Sequence, residues 1–355
     1  MRILALTRYE RLGSSSRVRF YQYFPYLTAR GVEIIPAPFF NDEYVRNLYR
    51  GQQTSLTAVL SAYLKRLSIL IRSSSFDLLW IEKELLPWIP AWFESLFHTF
   101  KIPYVVDYDD AVFHRYDMHR SVLVRALLGR KIDRVMKRAG LVIAGNEYLA
   151  QRARQSGARR VECLPSVVDV SQYRLMEPAA SPIFRIGWIG SPVTAAYLDL
   201  VREVIGTLSR EIDVHLTLVG SGNIPPFSDV PVEMLPWDEE IERKLGEKFD
   251  VGIMPLIDGP FERGKCGYKL IQYMASRLPV VASPVGVNQK IVEPGLNGYL
   301  AGSPTDWLVA LRELHASVEK RNSMGQAGRR KAEQMYNLQV TAPRLLDLLS
   351  SLLKT

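Results

Sequence analysis

The stretch Phe261-Glu262-Arg263-Gly264-Lys265-Cys266-Gly267-Tyr268-Lys269 places cations and glycines directly ahead of the apolar run Leu270–Ala275. Lys265 and Lys269 stand four apart, which on a helix puts both on one face. Cations near a helix N-terminus oppose its dipole. A bound phosphate or diphosphate reverses that cost, so the pair points to anion binding; solvent-facing lysines are the plainer alternative. Two other loops combine glycine with hydroxyls ahead of helical stretches: Gly13-Ser14-Ser15-Ser16 and Gly190-Ser191-Pro192-Val193-Thr194. Backbone amides at such places meet anions, although Ser and Thr also serve there as simple N-caps.

Asp107-Tyr108-Asp109-Asp110 is the second concentration of chemistry. Three carboxylates in four residues repel one another unless a cation balances them. They suit a D-x-D metal site, an aspartyl nucleophile, or a cleft-facing pair that accepts a proton from a hydroxyl or holds sugar hydroxyls. Asp109 is the candidate for the site with Asp110 beside it, and Asp107 the one expected to stabilise the loop. Glu82, Glu84, His114 and Trp237 lie at or near strand ends and could reach a site, though packed or surface positions suit them equally.

Short apolar runs separated by helical stretches must position these groups. Strands are predicted at Ile3–Thr7, Val32–Ala37, Leu78–Ile81, Ile102–Val106, Leu141–Ala144 and Val161–Leu164. After the polar, proline-bearing segment Val170–Pro182, which reads as a linker, they resume at Ile186–Ile189, Val214–Val219, Val232–Leu235, Val251–Met254 and Val280–Ser283. Doubly apolar strands alternating with helices are the mark of parallel sheets covered on both faces. The expected fold is therefore α/β, two doubly wound Rossmann-like domains facing each other across a cleft. The division is an N-terminal domain over 1–175, a C-terminal domain over 176–330 and a helical segment over 331–355. Ligands of such sheets bind outside the carboxyl ends of the strands, where the loops above fall.

Composition narrows the function classes. The 355 residues include two cysteines, Cys163 and Cys266, which exclude a disulfide framework, and five histidines without HExxH spacing. No bound metal and no cofactor are expected. The N-terminal apolar run is too short for a signal peptide, and no window approaches the about 18 apolar residues of a spanning helix, so a cytoplasmic protein is expected. Residues 1–180 hold 26 Lys/Arg against 17 Asp/Glu, whereas 181–355 hold 19 against 20. Within the basic half, Arg115–Arg138 mixes cations with apolar residues at helical spacing. It suits either an amphipathic helix on the inner face of an anionic membrane or an ordinary surface helix. No nucleic-acid motif accompanies it.

Tyr268–Pro284 (YKLIQYMASRLPVVASP) resembles the donor-site segment of nucleotide-sugar glycosyltransferases with the GT-B fold, family four (group 1) in particular. GKCGYKLIQYMA is similar to one branch of that family. Trp188-Ile189-Gly190-Ser191-Pro192, Val219-Gly220-Ser221-Gly222, Asn297-Gly298-Tyr299-Leu300 and the N-terminal SSSRVRFYQYFPYL extend the resemblance through nearly the whole chain. It implies a donor bound mainly by the second domain, an acceptor bound mainly by the first, and a last helix crossing back to the first.

Carried over by position, Ser191, Thr194, Lys265 and Lys269 would surround the donor diphosphate, with Gly190, Gly264, Tyr268 and Gln272 also in the donor site and Gly13 and Ser14 approaching from the other domain. Asp109 would stand where relatives usually carry a histidine near the reacting carbon. Most members also carry two glutamates at E-x7-E; those positions are Gly264 and Gln272 here, with Glu262 close to the first. The usual Arg and Lys after the first strand of the second domain are replaced by the Ser-Pro-x-Thr loop, so Lys265 and Lys269 read as relocated charge compensation. The resemblance implies a metal-independent, retaining transfer of a sugar from a nucleoside-diphosphate sugar to a hydroxyl of a saccharide or lipid-linked acceptor. A non-catalytic nucleotide- or glycan-binding relative is the alternative.

Overall fold

The computed structural model describes residues 1–52, 55–91, 102–175, 182–227 and 229–353. The chain divides into two compact units. The first comprises Met1–Ser166 with Arg263–Cys266 and Leu338–Thr355; the second comprises Val167–Glu262 and Gly267–Asn337. The boundary thus falls between Ser166 and Val167, ahead of the segment read as a linker. Val168, Val170 and Tyr173 pack into a core cluster of the second unit, so burial draws this stretch in. Residues 176–181 of that segment lie outside the described residues.

The first unit is built on six parallel strands: β1 (Arg2–Leu6), β2 (Glu33–Pro36), β3 (Leu78–Glu82), β4 (Tyr104–Tyr108), β5 (Leu141–Ala144) and β6 (Val161–Cys163). Their order is β2-β1-β3-β4-β5-β6, with Leu4 opposite Leu79 and Trp80 opposite Val105. Strand β3 is buried along its whole length, as expected of a central parallel strand with helices on both faces. Helix Leu338–Ser351 belongs to this unit, where Tyr23 Oη and Thr341 Oγ1 lie 3.1 Å apart.

The second unit holds β7 (Phe184–Ile189), β8 (Val214–Val219), β9 (Val232–Leu235), β10 (Val251–Met254), β11 (Val280–Ala282) and β12 (Gly298–Leu300). All are parallel, in the order β12-β11-β10-β7-β8-β9. Its strand order reverses direction between β7 and β10, and that of the first unit between β1 and β3. A crevice opens at such a switch point, outside the strands' carboxyl ends. The loops carrying Gly190–Thr194 and Gly13–Ser16 leave β7 and β1, the strands that border those points.

Three local expectations change. Strand β4 runs on to Tyr108, so Asp107 and Tyr108 belong to it and only Asp109 and Asp110 follow it. The tract 115–138 is three helices, His114–Asp117, Val122–Leu128 and Lys131–Arg138, rather than one. Lys265 is not helical: the helix begins at Tyr268, after Gly267 turns the chain with φ 67°. The two lysines therefore do not share a helical face, because the left-handed turn, which glycine adopts at little cost, separates them.

Candidate functional site

In the first unit the carboxyl ends of β3 and β4 gather buried charge. Arg19, from helix Ser14–Arg19, grips Asp107 with Nε–Oδ1 at 2.7 Å and Nη2–Oδ2 at 3.1 Å, both side chains 1% exposed. The same guanidinium donates to the Leu164 carbonyl at 2.9 Å. A bidentate buried pair of this kind is costly to break, about 3–5 kcal/mol when one partner is removed. Both Asp107 oxygens are thus engaged by one cation, which removes Asp107 from a D-x-D arrangement with Asp109. Among the described residues no group of three or more His, Cys, Asp or Glu side chains is placed to hold a metal ion.

Asp109 and Asp110 face a different cation. Lys83, immediately after β3, places Nζ 2.8 Å from Asp109 Oδ1, 3.6 Å from Asp110 Oδ2 and 3.2 Å from Ser15 Oγ. Its backbone has φ 64°, a conformation that costs a residue with a side chain about 1–3 kcal/mol and persists where surroundings impose it. Burial alone would raise the Asp109 carboxyl; the Lys83 ammonium, its hydrogen bond and Ser15 outweigh that and hold it below the ordinary carboxylate range. Burial likewise opposes the charge on Lys83, but Asp109, Asp110 and Glu82 raise its pKa above the usual lysine value. An ionised Asp109 with a depressed pKa is a weak base and a strong hydrogen-bond acceptor.

Glu82 lies in the same cluster. Its Oε2 accepts from the Arg8 amide at 2.7 Å and from Ser16 Oγ at 2.6 Å, while buried Oε1 has no hydrogen-bond donor among the described residues. Burial, above all, raises its pKa. Glu84 is tied into the structure instead: it accepts from Tyr116 Oη at 2.8 Å and pairs with Lys131 at 2.6 Å. His114 is held on both ring nitrogens, by Asp117 at 2.9 Å and Tyr148 Oη at 2.8 Å, which marks it as a packing residue.

Residues 263–266 are fastened within the first unit. Asn146 caps helix Glu147–Gln155 through Oδ1, accepting from Leu149 N–H at 3.0 Å. Its Nδ2 donates to the carbonyls of Gly264 at 2.8 Å and Lys265 at 3.0 Å. The Cys266 thiol donates to the Asp109 carbonyl at 3.1 Å. A Cβ on Gly264 would lie 2.5 Å from Cβ of Ala111, so a glutamate side chain has no room at this position. Lys265 Nζ comes within 3.8 Å of Asp110 Oδ1, which brings it to the acidic pair.

In the second unit the site is made of backbone and hydroxyls. Gly190 ends β7 where a Cβ would meet the Trp188 ring at 2.4 Å. Ser191 caps a short helix, Pro192–Ala195, that contains Thr194: Thr194 Oγ1 accepts from Ser191 N–H at 3.1 Å and donates to the Ser191 carbonyl at 3.0 Å. The N-cap role is real here, and it leaves the half-buried loop at the switch point. Lys269 Nζ lies 5.3 Å from the centre of the Trp188 ring, within the range of a cation–π contact. Tyr268, Tyr173 and Trp237 all donate to Glu242, at 3.1, 2.9 and 3.1 Å, so Tyr268 and Trp237 brace the helix that carries Lys269. Gln272 is 3% exposed. Glu262 accepts from Tyr197 Oη. In the first unit's loop Gly13 is the N-cap and Ser14 is exposed; it is Ser15 and Ser16 that reach the cluster.

Lys83 and Arg19 are the members of the first unit's charged cluster that reading the sequence missed. The alternation Glu82-Lys83-Glu84 at a strand end was the available signal for Lys83.

Residues 183–317 match the family described as Glycosyl transferases group 1. The chain has the fold of GT-B glycosyltransferases, and the group 1 match falls within its second unit. Among solved structures, sucrose-phosphate synthase from Thermosynechococcus elongatus is similar over 99% of both chains, with TM-score 0.74 and 16% identity. Anabaena HepE in complex with UDP aligns over 99% of this chain and 100% of its own, with TM-score 0.73 and 15% identity. WaaG, described as a glycosyltransferase involved in lipopolysaccharide biosynthesis, aligns over 98% and 99%, with TM-score 0.70 and 13% identity. Spore coat protein SA of Bacillus subtilis (strain 168) is 35% identical over 78 residues, 21% of this chain and 21% of its own length. The match to this curated relative thus spans about a fifth of its length.

Proposed function

We propose that the protein transfers a sugar from a nucleoside-diphosphate sugar to a hydroxyl of a saccharide or lipid-linked acceptor. The observation that carries this reading is the group 1 match over 183–317 coinciding with the β7–β10 switch point. There, Gly190, Ser191 and Thr194 lie in the loop leaving β7, and Lys269 stands on the helix following β10. In this reading the amides of that loop and Lys269 take the donor diphosphate, with Tyr268 and Gln272 as the remainder of the donor set in the second unit. The leaving group is a nucleoside diphosphate, whose developing charge such fixed donors stabilise. Protein cations can do this without a metal. Asp109, held ionised, and its neighbour Asp110 receive the hydroxyls of the sugar. With Asp109 a weak base, the acceptor's proton passes to the departing phosphate oxygen on the same face, which retains the anomeric configuration.

The test is calorimetric titration with UDP, GDP, ADP and CMP, with and without magnesium. Metal-independent saturation by one diphosphate, lost in Lys269→Ala, supports the donor site. Product stereochemistry then follows from the anomeric proton coupling in NMR; an inverted product overturns the retaining step.

A second reading has its own observation: Gly264 stands where most relatives carry the first glutamate, and Ala111 blocks any side chain there. A binding protein without turnover would hold one diphosphate tightly and release none of it from the matching nucleotide sugar.

We also place the acceptor at an anionic membrane surface, on the peripheral side. Val122, Leu123 and Leu127 are 70, 67 and 56% exposed on one short helix, with Arg120, Arg125 and Arg130 exposed around them. Among the described residues no helix is long and apolar enough to cross a membrane. Salt-sensitive co-flotation with phosphatidylglycerol vesicles is expected; no flotation at low salt overturns it.

A further inference from the structure

We propose that Lys83 is the positioning residue of the first unit's site: the turn after β3 carries its ammonium against Ser15, Asp109 and Asp110 and fixes both carboxylates as the anions that take the hydroxyls of an uncharged sugar acceptor. The inference rests on the glycosyltransferase reading above and adds the residue that arms the acceptor side. Four segments meet here: helix Ser14–Arg19 through Ser15, the end of β3 through Glu82 and Lys83, the loop after β4 through Asp109 and Asp110, and residues 263–266 through Lys265. Lys83 is 4% exposed and keeps a left-handed backbone to deliver one charge to this point. A lysine needed only to cover surface has no reason to adopt either.

The charges that face one another define the ligand. Glu82, Asp109 and Asp110 supply three carboxylates and Lys83 and Lys265 two cations, so the cluster is poor at holding a phosphate and good at accepting hydroxyl protons. Asp109 also feels Arg19, and the Cys266 thiol donates to its carbonyl. Glu82, Asp107 and Asp109 raise one another's cost of ionisation, and Arg115 acts on Lys83. Removing the Lys83 ammonium leaves the carboxylates mutually repelling, which favours a protonated Asp109. A misplacement of about 1 Å at such a site costs about 10²-fold in rate.

The experiment uses the full chain with Lys83→Met and Lys83→Arg. One readout is the Asp109 carboxyl carbon, followed by NMR in protein labelled at Asp and assigned with Asp109→Asn. The other is UDP release from UDP-glucose, the donor probe, across pH with free glucose and maltose as acceptors. Lys83→Met should raise the Asp109 titration, move the acid limb of kcat to higher pH and lower kcat at pH 7 by about 10²-fold, with UDP affinity unchanged. Lys83→Arg should restore the acid limb and part of kcat. An Asp109 titration that does not move in Lys83→Met overturns the proposal, as does an unmoved acid limb in an enzyme that Asp109→Asn disables. If the wild-type chain releases no UDP from any nucleotide sugar it binds, the transfer reading fails, and the carboxyl titration still decides what Lys83 does.

Discussion

The two sheets end in opposite materials. The end of the first sheet is charge on charge: Arg19 against Asp107, both buried, and buried Lys83 against the partly exposed Asp109 and Asp110. The end of the second sheet is glycine, backbone amide and hydroxyl, with a single lysine laid against an indole. Buried charges discriminate by leaving wrong partners unpaired. Amides and a half-buried cation at a switch point accept an anion without being spoiled by its absence. On the reading proposed above, sugar recognition falls to the first unit and diphosphate recognition to the second.

The comparison can be broken at several places. The largest effect is expected from Arg19→Met, which strands the Asp107 carboxylate in the core. Denaturant unfolding should show a loss of about 3–5 kcal/mol; a loss below about 1 kcal/mol would mean that Asp107 accepts protonation without strain. Next is Lys269→Ala, expected to weaken binding of the nucleoside diphosphate that saturates the chain by about 1.5–3 kcal/mol, the worth of a charged hydrogen bond. Asp109→Asn should leave that affinity alone, and a matching loss there would erase the distinction between the units. Gly264→Ala drives a methyl against Ala111 and should cost about 1–3 kcal/mol of stability, read as a lower unfolding midpoint. An unchanged midpoint would show that the segment yields.

The smallest effect is in pH. Asp109 is depressed in the folded chain, so its stabilisation is fully present above the unfolded carboxylate value and lost as pH falls through the folded one. Lys83 is raised, so its share is present below the ordinary lysine value and lost only as pH climbs through the folded one. Between those limits the ion pair contributes a constant amount. Comparing wild type with Asp109→Asn in unfolding experiments from pH 3 to 7 should show the difference closing only at the acid end.

The sheets were legible because buried parallel strands are written as short apolar runs: Leu141–Ala144, Val214–Val219 and Val251–Met254 appear where they were expected. β12 was not, since Gly298–Leu300 is only three residues and partly exposed. On the candidate site, local pattern located loops and failed on partners. Asp109 finds its cation 26 positions back at Lys83, and Asp107 finds its own 88 positions back at Arg19. Both pairings are set by which strands lie side by side, which spacing along the chain does not encode. The helical spacing of Lys265 and Lys269 misled for a related reason: the helix begins only after Gly267, so Lys265 lies outside it.

The way Cys266 is seated has a practical consequence for reagent chemistry. Burial pushes its thiol well above the ordinary range, with Asp109 adding to the effect, and a raised, enclosed thiol is slow toward electrophiles and peroxide. Cys163, the other of the two cysteines, ends β6 and is partly accessible. A maleimide dye added to the native protein should therefore mark one position, at the edge of the first sheet. A second equivalent of dye taken up over time would count molecules in which the 263–266 segment has come loose.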